Sequence, residues 1–244
     1  MPVADSLAAC ENTVRKHDPD RYFSALFAPA KKRPLLFALY AFNHEIARIG
    51  EVVREPMMGE IRLQWWRETI ESARAGEPRA HDVARALAET FTHADLPAAL
   101  FDSMIDARAF DFSSEAFADE RARDIYLDAT SGNLMRLAAR VLDIGETHDA
   151  LAREAGIAYG LTGLIRLQRF HSACAKVWLR EDVAAAVEAR ERLTRAKRLP
   201  KPAAALPAFL PATLVPLYLK VRNREVPLHR KQLAYLRASL RGHI

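Results

Sequence analysis

Apolar residues recur along this chain at intervals of three and four. In the segment 33–54, Leu36, Leu39, Tyr40, Asn43, Ala47 and Val53 fall near one stripe, the spacing of a helix with one buried face. The same period predicts helices at 56–76, 79–93, 97–112, 119–143, 148–172, 181–198, 207–221 and 227–242. The punctuation agrees. Asp18 and Pro19 make a helix start, Pro56 opens another helix, Gly76 and Gly145 read as stops, and Pro97 and Pro227 mark boundaries. No stretch alternates with the period of a strand, so the pattern predicts an all-α protein.

Two segments break the apolar pattern with small residues. The helix at 148–172 carries Gly156, Ala158, Gly160 and Gly163, and the helix at 119–143 carries Gly132 and Asn133. Glycine inside a helix costs about 1 kcal/mol against alanine. Several together imply close backbone approach or open space. Two readings stand: helices 33–54, 119–143 and 148–172 enclose a cavity, or they pack tightly. Residues 1–199 read as a helical body. Residues 200–244 read as a proline-rich linker, "RLPKPAAALPAFLPATLVP", and basic helices packed on the same domain.

Composition narrows the setting. The chain has 244 residues and is half apolar, which suits one large domain with a sizeable core. Cys10 and Cys174 make no disulfide framework and lack zinc-site spacing, so a reducing, cytoplasmic setting is expected. The first residues lack a signal-peptide pattern, and no uncharged stretch reads as long enough to cross a bilayer. The net charge of +5 conceals an asymmetry: residues 190–244 hold 13 Lys/Arg and 2 acids, or +11, leaving −6 for residues 1–189. Such an end suits an anionic membrane surface, which would place the protein at the inner face of the cytoplasmic membrane. It suits equally an acidic protein, or a merely solvated face. No nucleic-acid module accompanies it, so nucleic acid is not expected.

Four stretches resemble the squalene/phytoene synthase family, in order and over nearly the whole chain: "YFSALFAPAKKRPLLFALYAF", "IRLQWWRE", "YLDATSGNLM" and "AGIAYGLTGLIRLQRFHSACAKVWL". The resemblance implies an isoprenoid-synthase-type helical bundle around a central cavity. Active members join two prenyl diphosphates head to head, using Mg²⁺ held between two aspartate-rich motifs. Carboxylates hold hard cations, which clamp phosphate oxygens. Against the first motif, D-D-x-x-D, this chain sets Ala47, Arg48 and Glu51. Against the second, R-D-x-x-x-D, it sets Arg166, Leu167 and His171, with Gly160 and Gly163 where polar residues are expected. One carboxylate cannot hold a magnesium cluster, so neither a metal cofactor nor catalytic residues are expected.

Arg48 is expected to pair with Glu51 three residues on. Alternatively, Arg48, Arg166, Arg169 and His171 could receive an anion directly, since guanidinium groups do this well. The resemblance sets Tyr40 and Tyr126 near the substrate. With His44, Asn133, Gly160 and Gly163 they are the candidate cavity residues.

The stretch "FALYAFNHEIARIGEVVREPMMGEIRLQWWRETIE" is similar to a complex I assembly group within that family, sharing Asn43 and Glu45, then Gly59, Arg62, Gln64 and Trp66. This implies a bacterial, non-catalytic relative that supports respiratory complex I assembly, with a subunit or assembly protein as partner. The candidate contact surface is Asn43, Glu45, Arg62, Gln64 and Trp66. Trp65 and Trp66 point about 100° apart on a helix, so one suits the core and the other a surface. The alternative is a prenyltransferase, or a protein that binds an isoprenoid diphosphate.

Overall fold

The computed structural model describes residues 3–53, 55–113, 115–173, 179, 182–200, 202–221 and 225–244, the side chains of 169–173 and 182 excepted. These residues form helices and connecting turns, with no strand among them. The chain opens with α1 (Val3–His17) and α2 (Pro19–Ala25), then α3 (Arg33–Ala47) and the one-turn α4 (Ile49–Val52). An outer group follows: α5 (Pro56–Arg74), α6 (Asp82–His93) and α7 (Ala98–Ala107), closed by a 3-10 turn at Arg108–Phe112. α8 (Glu120–Leu127) and α9 (Asn133–Val141) lead to the long α10 (Asp149–Ala173) and α11 (Asp182–Arg198). The last part holds α12 (Leu206–Phe209), a 3-10 turn at Leu210–Leu214, α13 (Val215–Val221) and α14 (Leu228–Arg241).

α3 is the central helix. Every residue from Leu35 to Phe42 is buried, and a helix apolar on all sides belongs in the middle of a bundle. α1, α6 and α9 pack around it. Side chains set several ends. The Asp18 carboxylate accepts from the Arg21 backbone N–H at 3.1 Å and caps α2, and Asp119 caps α8 through the Ala122 N–H at 2.7 Å. α14 stops at Gly242 in the left-handed region, φ +69°.

Four features depart from the periodic reading. α1 was not expected as a helix. Its buried residues are only Ser6, Cys10 and Val14, too few and too small to make a visible stripe. The segment 33–54 is not one helix. It breaks at Arg48, where α3 ends, and Val53 is extended ahead of Pro56. The segment 119–143 carries a π-helical stretch at Asp128–Gly132 between α8 and α9. The segment 207–221 is divided by Pro207, Pro211 and Pro216, each of which removes a helix donor.

The last region shares the core of the body. Leu206, Phe209, Leu210, Leu214, Tyr218 and Tyr235 all lie in the one buried cluster. Ala203–Val221 corrects one expectation: by length and composition it is apolar enough to cross a membrane. However, 67% of that window is buried inside the protein, so its hydropathy is explained by packing.

The glycines of α10 differ by position. A Cβ on Gly156 would stand 2.6 Å from the backbone of Gly132, so α10 and the π-helical stretch meet backbone to backbone. A Cβ on Gly160 would strike Leu127 at 2.8 Å. A Cβ on Gly163 would meet nothing within 4 Å. The expected outcome is that Gly156→Ala costs about 1–3 kcal/mol through overpacking. Gly163→Ala should be neutral or stabilising by up to about 1 kcal/mol. Urea unfolding of the two variants checks this, and equal midpoints would contradict the packing described.

Candidate functional site

The start of α2 holds a charge in the interior. Asp20 is 5% exposed. Its carboxylate accepts from the Tyr159 hydroxyl at 2.9 Å, from Lys231 Nζ at 2.8 Å, and from the Tyr218 hydroxyl through a short hydrogen bond. Its backbone carbonyl accepts from the Tyr235 hydroxyl at 3.1 Å. Arg21 lies beside it, bound to Asp18 at 2.7 Å and set against the rings of Tyr40 and Tyr159. Burial and then the charge of Asp20 push the Tyr159, Tyr218 and Tyr235 hydroxyls well above the ordinary tyrosine range. Burial does the same to Tyr40. These phenols stay protonated; Tyr159 and Tyr218 donate to the Asp20 carboxylate and Tyr235 to its backbone carbonyl.

A second buried cluster lies where the 3-10 turn 108–112 meets α8. The Tyr126 hydroxyl donates to Asp111 at 2.7 Å and accepts from Arg108 Nη1 at 3.0 Å. Arg108 also reaches the second Asp111 oxygen at 3.3 Å and the Asn43 side-chain oxygen at 3.4 Å. Burial raises the Tyr126 pKa. Gly50 permits this approach, since a Cβ there would fall 2.6 Å from the Asp111 Cβ.

The residues at the expected motif positions have the following surroundings. Ala47 ends α3. Arg48 is half exposed and pairs with Glu45 at 3.5 Å. The expected Arg48–Glu51 pair is therefore corrected: the helix breaks at Arg48 and Glu51 stands exposed on α4. Arg166 lies against the last region of the chain. Its guanidinium stacks on the Tyr218 ring, 3.7 Å from the centroid. Leu167 is exposed on α10. The side chains of Arg169 and His171, and all of Cys174, lie outside the described residues. Among the described residues, no group of three or more His, Cys, Asp and Glu is placed to hold a metal.

Of the other candidate cavity residues, His44 stacks on His17 at 4.4 Å, and its pKa is lowered by burial and then by His17. Asn133 is buried and accepts from Arg136 at 2.8 Å. Cys10 is buried, which pushes its thiol up to about 12 and keeps it unreactive.

The expected contact surface is only partly assembled. Glu45, Arg62 and Trp66 share a cleft of about 300 Å³ with Arg48, Trp65 and His81. Gln64 stands outside it, bound to Glu68 at 3.1 Å, and Asn43 is turned to Arg108. Trp66 is the core tryptophan, 4% exposed, and Trp65 is the outer one at 36%. Val52, Met57, Met58 and Ile61 are exposed beside it. The sequence contained this signal in the spacing Met57, Ile61, Trp65, one exposed side of α5. His81, Asp111 and Asp20 carried no such mark.

A helical bundle of this order is the architecture of isoprenoid synthases. Residues 14–223 match the family model for squalene/phytoene synthase, and the chain belongs to that family. The human NADH dehydrogenase (ubiquinone) complex I, assembly factor 6 is 29% identical over 175 residues, 71% of this chain and 53% of that protein. Its rat counterpart is 30% identical over 182 residues, 74% of this chain and 55% of that one. The chain thus spans about half the length of these relatives. Among solved structures, a dehydrosqualene synthase in complex with ligand superposes with a TM-score of 0.76 at 17% identity, covering 98% of this chain and 97% of that one. Squalene synthase HpnC from Alicyclobacillus acidocaldarius gives 0.73 at 17% identity, covering 99% and 97%. At that identity the likeness establishes the fold.

Asp20→Ala leaves Lys231 buried without its counter-charge, with a side chain only 14% exposed. The expected loss is roughly 3–5 kcal/mol, the usual cost of breaking one side of a buried pair. Tyr218→Phe should lose about 1–2 kcal/mol, one hydrogen bond to a charged acceptor. Equilibrium unfolding measures both, and a neutral Asp20→Ala would show that the cluster contributes nothing to stability.

Proposed function

We propose that this chain supports the biogenesis of respiratory complex I through protein contact, and does not join prenyl diphosphates. The observation that carries the reading is the junction of α3 and α4. There Ala47 brings no ligand atom, Arg48 brings a cation tied to Glu45, and the carboxylate of Glu51 stands on a separate helical turn. A magnesium ion needs several oxygen ligands. A guanidinium about 4 Å from such an ion repels it by several kcal/mol at a surface-like effective dielectric. That set fits a divalent ion poorly. The similarity to proteins named as complex I assembly factor 6 gives the reading its biological direction.

On this reading the partner is a subunit or an assembly protein of the respiratory complex. The docking surface is the Trp65 cleft with its apolar margin of Val52, Met57, Met58 and Ile61. An exposed tryptophan beside arginines and methionines is the composition of an interface centre.

Deletion of the gene in its host should lower NADH:quinone activity and the amount of assembled complex I on native gels. The wild-type gene should restore both, and a Trp65→Ala/Ile61→Asp gene should restore them poorly while its product stays folded. Unchanged complex I in the deletion strain would refute the assembly role. With purified protein, farnesyl or geranylgeranyl diphosphate and Mg²⁺, no head-to-head product is expected. Turnover that stops with EDTA and returns with Mg²⁺ would establish the synthase reading instead.

A further inference from the structure

The Asp20 cluster fixes which way α14 faces. Lys231, Tyr235 and Ala238 make its inner side, and the first two are bound to Asp20. The outer side is then determined by the helical period. Leu233, Leu236 and Leu240, spaced i, i+3 and i+7, lie on it with 43%, 48% and 79% of their surfaces exposed. Arg230, Arg237 and Arg241, spaced i, i+7 and i+11, form the adjoining strip. None of these three arginines is in an ion pair with a described acid, and α14 contains no acid at all. The strip forms one wall of a groove of about 560 Å³ between α11, α13 and α14, whose lining includes Lys197 and Lys220 and no acid.

We propose that this face of α14 is a seat for an anionic phospholipid bilayer. The leucine stripe enters the boundary between headgroups and acyl chains, and the arginine strip and the groove lie at the level of the phosphates. A helix with an apolar face, a cationic flank and low overall hydrophobicity lies in the plane of such an interface. Charge decides the occupant. A protein partner leaves a contact centre poor in charge and rich in aromatics, whereas here three aliphatic side chains border cations of a single sign. The inference is independent of the complex I reading.

Some of the basic residues that composition counts are engaged within the fold. Arg192 is engaged with Asp124, Glu154 and Glu188, and Arg195 with Glu154 at 2.9 Å. Lys231 is buried on Asp20. Arg192, Arg195 and Lys231 are therefore engaged with acids of the fold, while Arg230, Arg237 and Arg241 of α14 face outward beside the leucine stripe.

Sedimentation of the full chain with vesicles of neutral phosphatidylcholine, alone or mixed with phosphatidylglycerol, tests the proposal. Binding is expected only to the anionic vesicles, and should fall as salt rises. Arg237→Glu/Arg241→Glu should lower the partition coefficient by about thirtyfold or more, since each cation at such a surface contributes up to about 1 kcal/mol. Leu236→Glu/Leu240→Glu should abolish binding. Arg15→Glu/Arg153→Glu changes the net charge equally on other helices and should stay within about twofold of wild type. Circular dichroism and melting confirm that each variant is folded, all six positions being exposed. Absence of binding to anionic vesicles at low salt would overturn the proposal. So would an equal loss in the α14 and control variants, which would make the attraction one of net charge and not of this face.

Discussion

The carboxylate of Asp20 is the point on which the two ends of this molecule depend. A buried charge is costly unless it is paired and fully hydrogen-bonded. Here three side chains from α10, α13 and α14 satisfy it, and a fourth holds its carbonyl. The same contact fixes α2 at one end of the chain and α14 at the other. The tyrosines suit the task. Each covers apolar surface with its ring and supplies one donor, without adding a second charge.

Around that anchor the family fold is kept. The superposition with a dehydrosqualene synthase covers nearly the whole chain at 17% identity, so the path of the helices is shared and few of the side chains are. Fold alone does not assign chemistry. Tyr126 is occupied by Asp111 and Arg108, Arg166 lies on Tyr218, and Arg48 is held by Glu45. Each of these polar groups has a partner within the protein.

Much of this fold was legible in the sequence because helices announce themselves locally. The period of three to four residues marked most of the long helices, and prolines and glycines marked many of their ends. What escaped depended on distant neighbours. α3 ends at Arg48, just ahead of Gly50, which the turn at 108–112 approaches closely, and Arg48 pairs with Glu45 in place of the expected Glu51. Asn43 looked like a surface residue because Arg108, its partner, lies 65 residues away. Nothing in the sequence singled out Asp20, since its partners are 139, 198 and 211 residues distant. For the tryptophans the angle between neighbours was legible, and which one faced inward was not.

The spacing of Asp20 and Lys231 has a consequence for how the molecule comes into being. A chain emerging from a ribosome offers Asp20 at once and Lys231 only after 211 further residues. Until then its carboxylate lacks the lysine that balances its charge in the finished fold. α2 can form early, since Asp18 caps it locally. It cannot settle into its final burial until the last helix arrives. The tertiary structure therefore closes late, and loops of this length close slowly compared with local helical contacts. During that interval the sides of α2 and α10 that α13 and α14 will cover are open. A nascent or partly unfolded chain thus exposes to chaperones and proteases a tyrosine-rich seam that the finished protein never shows.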